Sequence, residues 1–333
     1  MIILLSADIG GTKTIIELSQ YTEGKLHSIK KEKLNSASYN CFANMLAGFV
    51  EPEETIDAAC FAIAGPIRHE KNYQTANVTN LPWEMENTSL QKTFGIAKIN
   101  FINDFQAMGY AIEYLSPDDF EVLQQGRSKA HGVRAIIGAG TGLGEAILVF
   151  NGRKYEVLAT EGGHQDFAPN SALEIELYQY IHKEFEHVSF ERVLSGSGLI
   201  SIFRFLIQHE TASNEAMNQK ILNSADPAAE ISQAANSKSY IIAEQALALF
   251  MKIYGAKAGN LALACLPTAG IYITGGIAGK NLSSLKNSEF IRSFNAKGRM
   301  KNLMKDIPVN VVTNQEAGLM GATQYALGMI NNE

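Results

Sequence analysis

Cysteine is scarce in this chain: Cys41, Cys60 and Cys265 are three among 333 residues, odd in number, far apart and in no ligand spacing. That excludes a disulfide framework and a cysteine zinc site, and a reducing cytoplasm fits best. Charge is sparse too. Charged residues are 19% of the chain, the formal net charge is -6, and no block of Lys or Arg is present. A polyanion such as nucleic acid therefore finds no electrostatic footprint. Low-complexity tracts and proline-rich linkers are missing. No Gly-x-x-x-x-Gly-Lys-[Ser/Thr] stretch and no His-Arg-Asp or Asp-Phe-Gly triplet occurs, which removes P-loop ATPases and protein kinases. The start, Met1 to Leu5, lacks a basic leader and reaches Asp8 before a signal-peptide core could form. The longest uncharged run, Ala258 to Gly279, approaches the length of a bilayer span. Asn260, Pro267 and Gly275-Gly276 divide it into a helix end, a turn and a buried strand, so no membrane partner is expected.

What is present is the composition of a globular protein, with 46% hydrophobic residues and 28 scattered glycines. The length exceeds what one hydrophobic core usually fills, so two domains are expected. Ile2 to Ala7 reads as a strand, Asp8-Ile9-Gly10-Gly11-Thr12 as a turn and Thr14 to Ser19 as a returning strand. The same grammar recurs where Arg134 to Ile137 leads through Gly138-Ala139-Gly140-Thr141-Gly142-Leu143-Gly144 into Ala146 to Phe150. Two such hairpins suggest a duplicated architecture with a facing loop from each half. Further strands, Ala58 to Ala64 and Ile99 to Ile102, end in Gly65-Pro66 and Asn103-Asp104. Apolar spacing predicts helices over 173–185, 199–209 and 240–266, whereas the polar stretch Thr211 to Ser239 reads as a surface excursion. The domain boundary is placed near residue 112, with the last helix, Ala317 to Met329, returning to the first domain. That makes 1–112 plus 313–333 a small α/β domain and 113–312 a large one.

Consecutive backbone N–H groups pointing into a concavity hold phosphate without much side-chain charge, and glycine permits the close approach. Gly10, Gly11, Gly138, Gly140 and Gly142 suit that task, Thr12 and Thr141 add hydroxyl donors, and Asp8 can hold a magnesium ion through its water shell. One glycine turn is weak evidence, since tight hairpins need glycine anyway. Two in one chain carry more weight. A third turn, Gly275-Gly276 after the strand Gly270 to Thr274, suits adenine and ribose, with a plain glycine turn as the competing reading.

Asn103-Asp104 lies where a strand gives way to the helical pattern Phe105 to Ile112, so either residue serves as an N-cap. A carboxylate there is kept ionised by the helix dipole and could position a hydroxyl for phosphoryl transfer. Glu161-Gly162-Gly163-His164 brings an acid and an imidazole close to a small ligand, as sugar recognition requires. His164 lacks a second histidine at metal spacing, so no protein-held metal site is expected. Glu191 could be a third such group, although a glutamate beginning a helix is its ordinary explanation.

These segments, with Ala62-Ile63-Ala64-Gly65-Pro66, Ile102-Asn103-Asp104-Phe105, Glu191 to Gly196 and Gly275-Gly276-Ile277, resemble in order the motifs of bacterial glucokinases. The string Glu161 to Pro169 is the most specific and points to the group without zinc. The resemblance implies an α/β, two-domain actin-like ATPase (ribonuclease H-like) fold with a ligand cleft between domains, ATP with Mg2+ as cofactor, and a hexose substrate. Ala7, Asp8, Ile9, Gly10, Gly11, Thr12, Gly138, Gly140, Thr141, Gly142, Gly275 and Gly276 would hold the nucleotide. Asp104 would be the base at the 6-hydroxyl, Asn103 and Glu161 would grip the middle hydroxyls, and His164 and Glu191 would close around the anomeric end. Asn80, within Thr79-Asn80-Leu81-Pro82-Trp83, would line the sugar site. Lys13 departs from the asparagine often found after the first Gly-Gly-Thr. A cytoplasmic homodimer is implied as well.

The zinc-cluster kinases and repressors of the wider family are disfavoured by the missing cysteines and by a first strand that begins at Ile2, which leaves no DNA-binding helix pair before it. Two other functions compete: a kinase for another hexose or an N-acetylhexosamine, and a sugar sensor without transfer. The presence of Asp104 together with both phosphate loops argues against the sensor.

Overall fold

The computed structural model describes residues 1–51, 55–209, 213–287 and 289–331. The chain divides into two compact units, Met1–Pro117 with Asn314–Glu333 and Asp118–Thr313. No helix among the described residues is long and apolar enough to cross a membrane.

The first unit is built on a five-stranded sheet in the order Lys25–Asn35, Lys13–Thr22, Ile2–Ile9, Ala58–Ile63, Ile99–Asn103. The first three strands form an antiparallel meander, and the last two run parallel to Ile2–Ile9. All six residues of Ala58–Ile63 are buried because both faces of the sheet are covered, which is why this strand reads as an unbroken apolar run. One face carries Phe42, Met45, Phe49 and Trp83, and the other is covered by the Ala317–Asn331 helix through Ala322, Ala326 and Leu327. The exposed edge strand, Lys25–Asn35, carries Lys25, Lys30, Lys31 and Lys33, charges of the kind that discourage edge-to-edge pairing.

The second unit holds a six-stranded sheet in the order Tyr155–Thr160, Leu143–Phe150, Arg134–Ala139, Ile271–Thr274, Val309–Val312, Phe120–Gln124. It repeats the pattern of the first: an antiparallel glycine hairpin whose leading strand pairs in parallel with a later strand. The long Ile241–Cys265 helix lies in the main core with Phe203, Phe250 and Tyr254.

Two expectations need correction. The stretch Thr211 to Ser239 is not an excursion: beyond Thr211 and Ala212, which lie outside the described residues, it forms the helices Glu215–Leu222 and Pro227–Asn236. Asn214 and Asp226 cap them, and a narrow apolar stripe of Ile221, Ile231, Ala234 and Ala235 is buried. The stripe is thin, and the buried Asn218 is satisfied by the Tyr240 hydroxyl at 2.7 Å, so the segment looks more polar than it packs. Second, Asn260 does not end a helix. The helix runs on to Cys265 and stops at Leu266, which takes a left-handed conformation (φ 47°) just before Pro267.

Candidate active site

In the first unit the sheet register sets the site. Ile9 pairs with Thr14 and Ile63, and Ile63 pairs with Asn103, so the glycine hairpin, the Ala64-Gly65 turn and Asn103-Asp104 emerge from one row of the sheet. Carboxyl ends of parallel strands are where open α/β sheets bind ligands. The hairpin is closed by Gly10 N donating to the Lys13 carbonyl at 3.0 Å and strapped by Ser36, whose hydroxyl donates to the Gly10 carbonyl at 2.7 Å. Gly11 is needed for close approach: a Cβ there would lie 2.6 Å from the Thr79 carbonyl oxygen and 3.5 Å from the Asn80 Cβ. Asn80 itself takes a left-handed conformation (φ 65°), which asparagine tolerates better than most residues, and sits beside the Gly10-Gly11 turn.

Asn103 is the N-cap of the Asp104–Ala111 helix. Its side chain accepts from Gln106 N at 2.6 Å while the Gln106 side chain accepts from Asn103 N at 3.1 Å, a complete capping box. Asp104 is thereby freed from capping. It stands in the first turn, where one carboxylate oxygen accepts from Phe105 N at 3.0 Å. Asp8, at the end of the first strand, is half-buried, and burial raises its carboxyl above the ordinary 3.8, with Lys13 pulling the other way.

In the second unit, Gly140 N donates to the Gly142 carbonyl at 2.8 Å and the Gly140 carbonyl accepts from Gly196 N, which opens the Gly196–His209 helix. Gly275 follows the strand that pairs with Gly138, and Gly276 begins a short helix ending at Lys280. Beside that helix lies a cavity of about 660 Å³ lined by Asn236, Lys238, Glu244, Lys280, Asn281 and Ser284 among others.

Three of the expected sugar residues converge. His164 Nε2 lies 3.8 Å from Glu161 and His164 Nδ1 lies 4.0 Å from Glu191. The turn Gly162–His164 follows the strand Tyr155–Thr160, and Gly163 accepts from Glu191 N at 2.9 Å. Glu191 does not begin a helix. It lies in the turn ahead of Gly196, is the most enclosed of the three, with a side chain 32% exposed against 59% for His164 and 88% for Glu161, and accepts from Leu143 N at 2.9 Å. Next to His164 and Glu191 a cavity of about 300 Å³ opens between Phe185, His187, Ser189 and Arg192.

Among the described residues no cluster of three or more His, Cys, Asp or Glu is placed to hold a metal ion. A resident metal does not fit these donors. Magnesium carried on phosphate does, because it keeps most of its waters and needs only one or two protein carboxylates, such as Asp8.

Sequence reading missed Ser36 and the buried pair Glu145 and Lys257, which lie 2.8 Å apart beneath the Gly162–His164 turn. The one signal for the pair is a lysine amid the apolar residues of a long helix.

Comparison with known proteins identifies the family. The glucokinase family model matches residues 5–329. The chain is 42% identical to a glucokinase of Nostoc punctiforme over 98% of its own length and 99% of the relative's, and 34% identical to one of Tolumonas auensis over 97% and 96%. The crystal structure of a glucokinase from an Antarctic psychrotroph superposes with a TM-score of 0.84 at 30% identity, covering 98% of this chain and 99% of that one. The fold is thus the two-domain actin-like ATPase fold of sugar kinases, and the chain belongs to the glucokinase family.

Proposed function

We propose that this protein transfers the γ-phosphoryl group of ATP to the 6-hydroxyl of glucose, giving glucose 6-phosphate and ADP. The observation that carries the reading is His164 lying between Glu161 and Glu191, with Glu191 accepting a hydrogen bond from Leu143 N beside a glycine hairpin: an imidazole and two carboxylates suit vicinal hydroxyls, and a glycine turn suits phosphate.

In this reading Asp104 accepts the 6-hydroxyl proton as the oxygen attacks the γ-phosphorus. The new O–P bond forms while the bond to the β-phosphate oxygen breaks, ADP leaves, and Asp104 later releases the proton to solvent. Because such a transition state is loose, the chain's contribution is chiefly to position the hydroxyl and stabilise charge. Asn103 and Glu161 hold the middle hydroxyls, His164 and Glu191 the anomeric end, and Asn80 lines the sugar site. Ala7 to Thr12 and Gly138 to Gly142 cradle the phosphates, and Gly275 and Gly276 border the adenine and ribose. Asp8 would hold phosphate-bound magnesium, which supplies neutralisation of the developing charge. The family likeness supports a cytoplasmic homodimer serving glycolysis; sedimentation equilibrium of the purified protein tests the dimer, and a monomer would refute it.

The activity is tested by coupled ADP release with glucose, mannose, fructose and N-acetylglucosamine at equal concentrations. Glucose is expected to have the highest kcat/KM. A preference for another hexose would overturn the substrate, and no turnover with any would overturn the kinase reading.

A further inference from the structure

The charged pair beneath the sugar turn is unusually enclosed. Glu145 and Lys257 are 2% and 1% exposed at the side chain, with Lys257 Nζ 2.8 Å from Glu145 Oε1. Such a pair is weak evidence for stability, since the cost of stripping water from two ions roughly cancels their attraction, and apolar replacements are often as stable or more so. Its surroundings suggest another use.

Three contacts of the pair fall on chain neighbours of the three sugar residues. Glu145 Oε2 lies against Gly162, so near that a Cβ there would be 2.0 Å away, and Gly162 follows Glu161. Lys257 Nζ donates to Gln165 Oε1 at 2.7 Å, and Gln165 follows His164. The same ammonium lies 4.9 Å from the centre of the Phe190 ring, and Phe190 precedes Glu191. Backbone joins in: Gly162 N donates to the Thr160 hydroxyl at 3.2 Å, which donates to the Glu145 carbonyl at 3.2 Å. The pair also stands on rigid supports. Glu145 lies in the strand that continues the Gly140–Gly142 turn, and Lys257 lies in the core helix, where Tyr254, three residues earlier, accepts from Ala139 N at 3.2 Å and so braces the strand leading into that turn.

We propose that Glu145 and Lys257 are positioning residues for glucose: together they fix the backbone that presents Glu161, His164 and Glu191, and thereby set sugar affinity. The inference rests on the sugar-site reading given above. Neither residue touches substrate, and both act through Gly162, Gln165 and Phe190.

The test compares the parent with the double variant Glu145→Leu/Lys257→Met and with Gln165→Leu, reading melting temperature, kcat, and KM for glucose and for ATP. The double variant removes both charges together, so no ion is left unpaired. Its melting temperature is expected to match or exceed the parent's while KM for glucose rises about tenfold, with kcat and KM for ATP within about twofold, the pattern of lost ground-state binding. Gln165 is exposed, so Gln165→Leu puts folding at little risk; it cuts the Lys257 link to the turn and is expected to raise KM for glucose about threefold. If the double variant folds, an unchanged KM for glucose overturns the proposal. If it fails to fold, Gln165→Leu decides alone, and an unchanged KM for glucose there overturns it. A parent that does not phosphorylate glucose refutes the sugar reading instead.

Discussion

The Glu191 carboxylate accepts a hydrogen bond from Leu143 N at 2.9 Å, tying the turn that carries Glu191 to the first residue after the Gly140–Gly142 loop. The other oxygen faces His164 at 4.0 Å. One side chain thus faces both a backbone group of the glycine hairpin and the imidazole beside it. Glu191→Ala should leave the buried Leu143 N–H without a partner, at about 1–3 kcal/mol, and lower the melting temperature together with glucose affinity. Glu191→Gln keeps an oxygen for Leu143 N and should retain the melting temperature while losing glucose affinity. Thermal melts alongside glucose titration check this, and equal stability of Ala and Gln variants would break the link.

The two glycine hairpins respond differently to a side chain. A Cβ on Gly140 meets nothing within 4 Å, whereas one on Gly11 would strike the Thr79 carbonyl at 2.6 Å and push on the loop that carries Asn80. Gly140→Val is therefore the selective probe. It should raise KM for ATP about tenfold by blocking phosphate approach, leaving glucose binding without nucleotide unchanged. Gly11→Ala should weaken both ligands. Calorimetry with each ligand separately decides, and a Gly140→Val variant that loses glucose binding as strongly as ATP binding would remove the hairpin from the nucleotide site.

How much of this was legible depends on the range of the interactions. The hairpins, the Asn103-Asp104 junction and the Glu161-Gly162-Gly163-His164 turn were visible because their geometry is set by neighbours within a few residues: Gly10 by Lys13, Asn103 by Gln106, His164 by Glu161. The 215–236 helices were not, because their apolar stripe is thin and the buried Asn218 oxygen accepts from the distant Tyr240 hydroxyl. Glu145 and Lys257 were missed for a related reason, a lone lysine in a long apolar helix being the one trace of them. Each alone is an ordinary surface residue type, and only the fold brings them to 2.8 Å in the dark beneath the sugar turn.

Asp8 gives a pH prediction. Burial raises its carboxyl above the ordinary 3.8 against the weaker pull of Lys13, so the folded state holds this proton more tightly than the unfolded state does. Stability from this group is therefore fully present below the ordinary value and is lost as pH rises through the raised folded value. Asp8→Asn removes the buried charge. The variant should melt higher than the parent at pH 7, with the gap closing on acidification, while turnover with magnesium-ATP falls about tenfold or more. Melting curves from neutral to acid pH check the sign, and a variant less stable than the parent at neutral pH would contradict it.

Asp104 and Asn103 offer the sharpest separation of chemistry from structure, because the capping box assigns capping to Asn103 alone. Asn103→Ala removes the side-chain oxygen that accepts from Gln106 N, while the backbone bond from Asn103 N to the Gln106 side chain can remain, and should cost about 0.5–2 kcal/mol of stability. Asp104→Asn touches neither bond, and its amide oxygen can still accept from Phe105 N, now at 3.0 Å from the carboxylate. Its melting temperature should match the parent's. What it loses is the ability to take the 6-hydroxyl proton, and general-base assistance is commonly worth about 10² to 10⁴-fold in rate. Loss of the in-line orientation of the hydroxyl adds to that. The measurement is turnover at saturating glucose and magnesium-ATP, with glucose binding followed separately by calorimetry. Parent-like binding and stability with collapsed turnover would assign Asp104 to the chemical step. A variant that keeps more than about a tenth of the parent rate falls outside the range for a general base and would move the proton acceptor elsewhere.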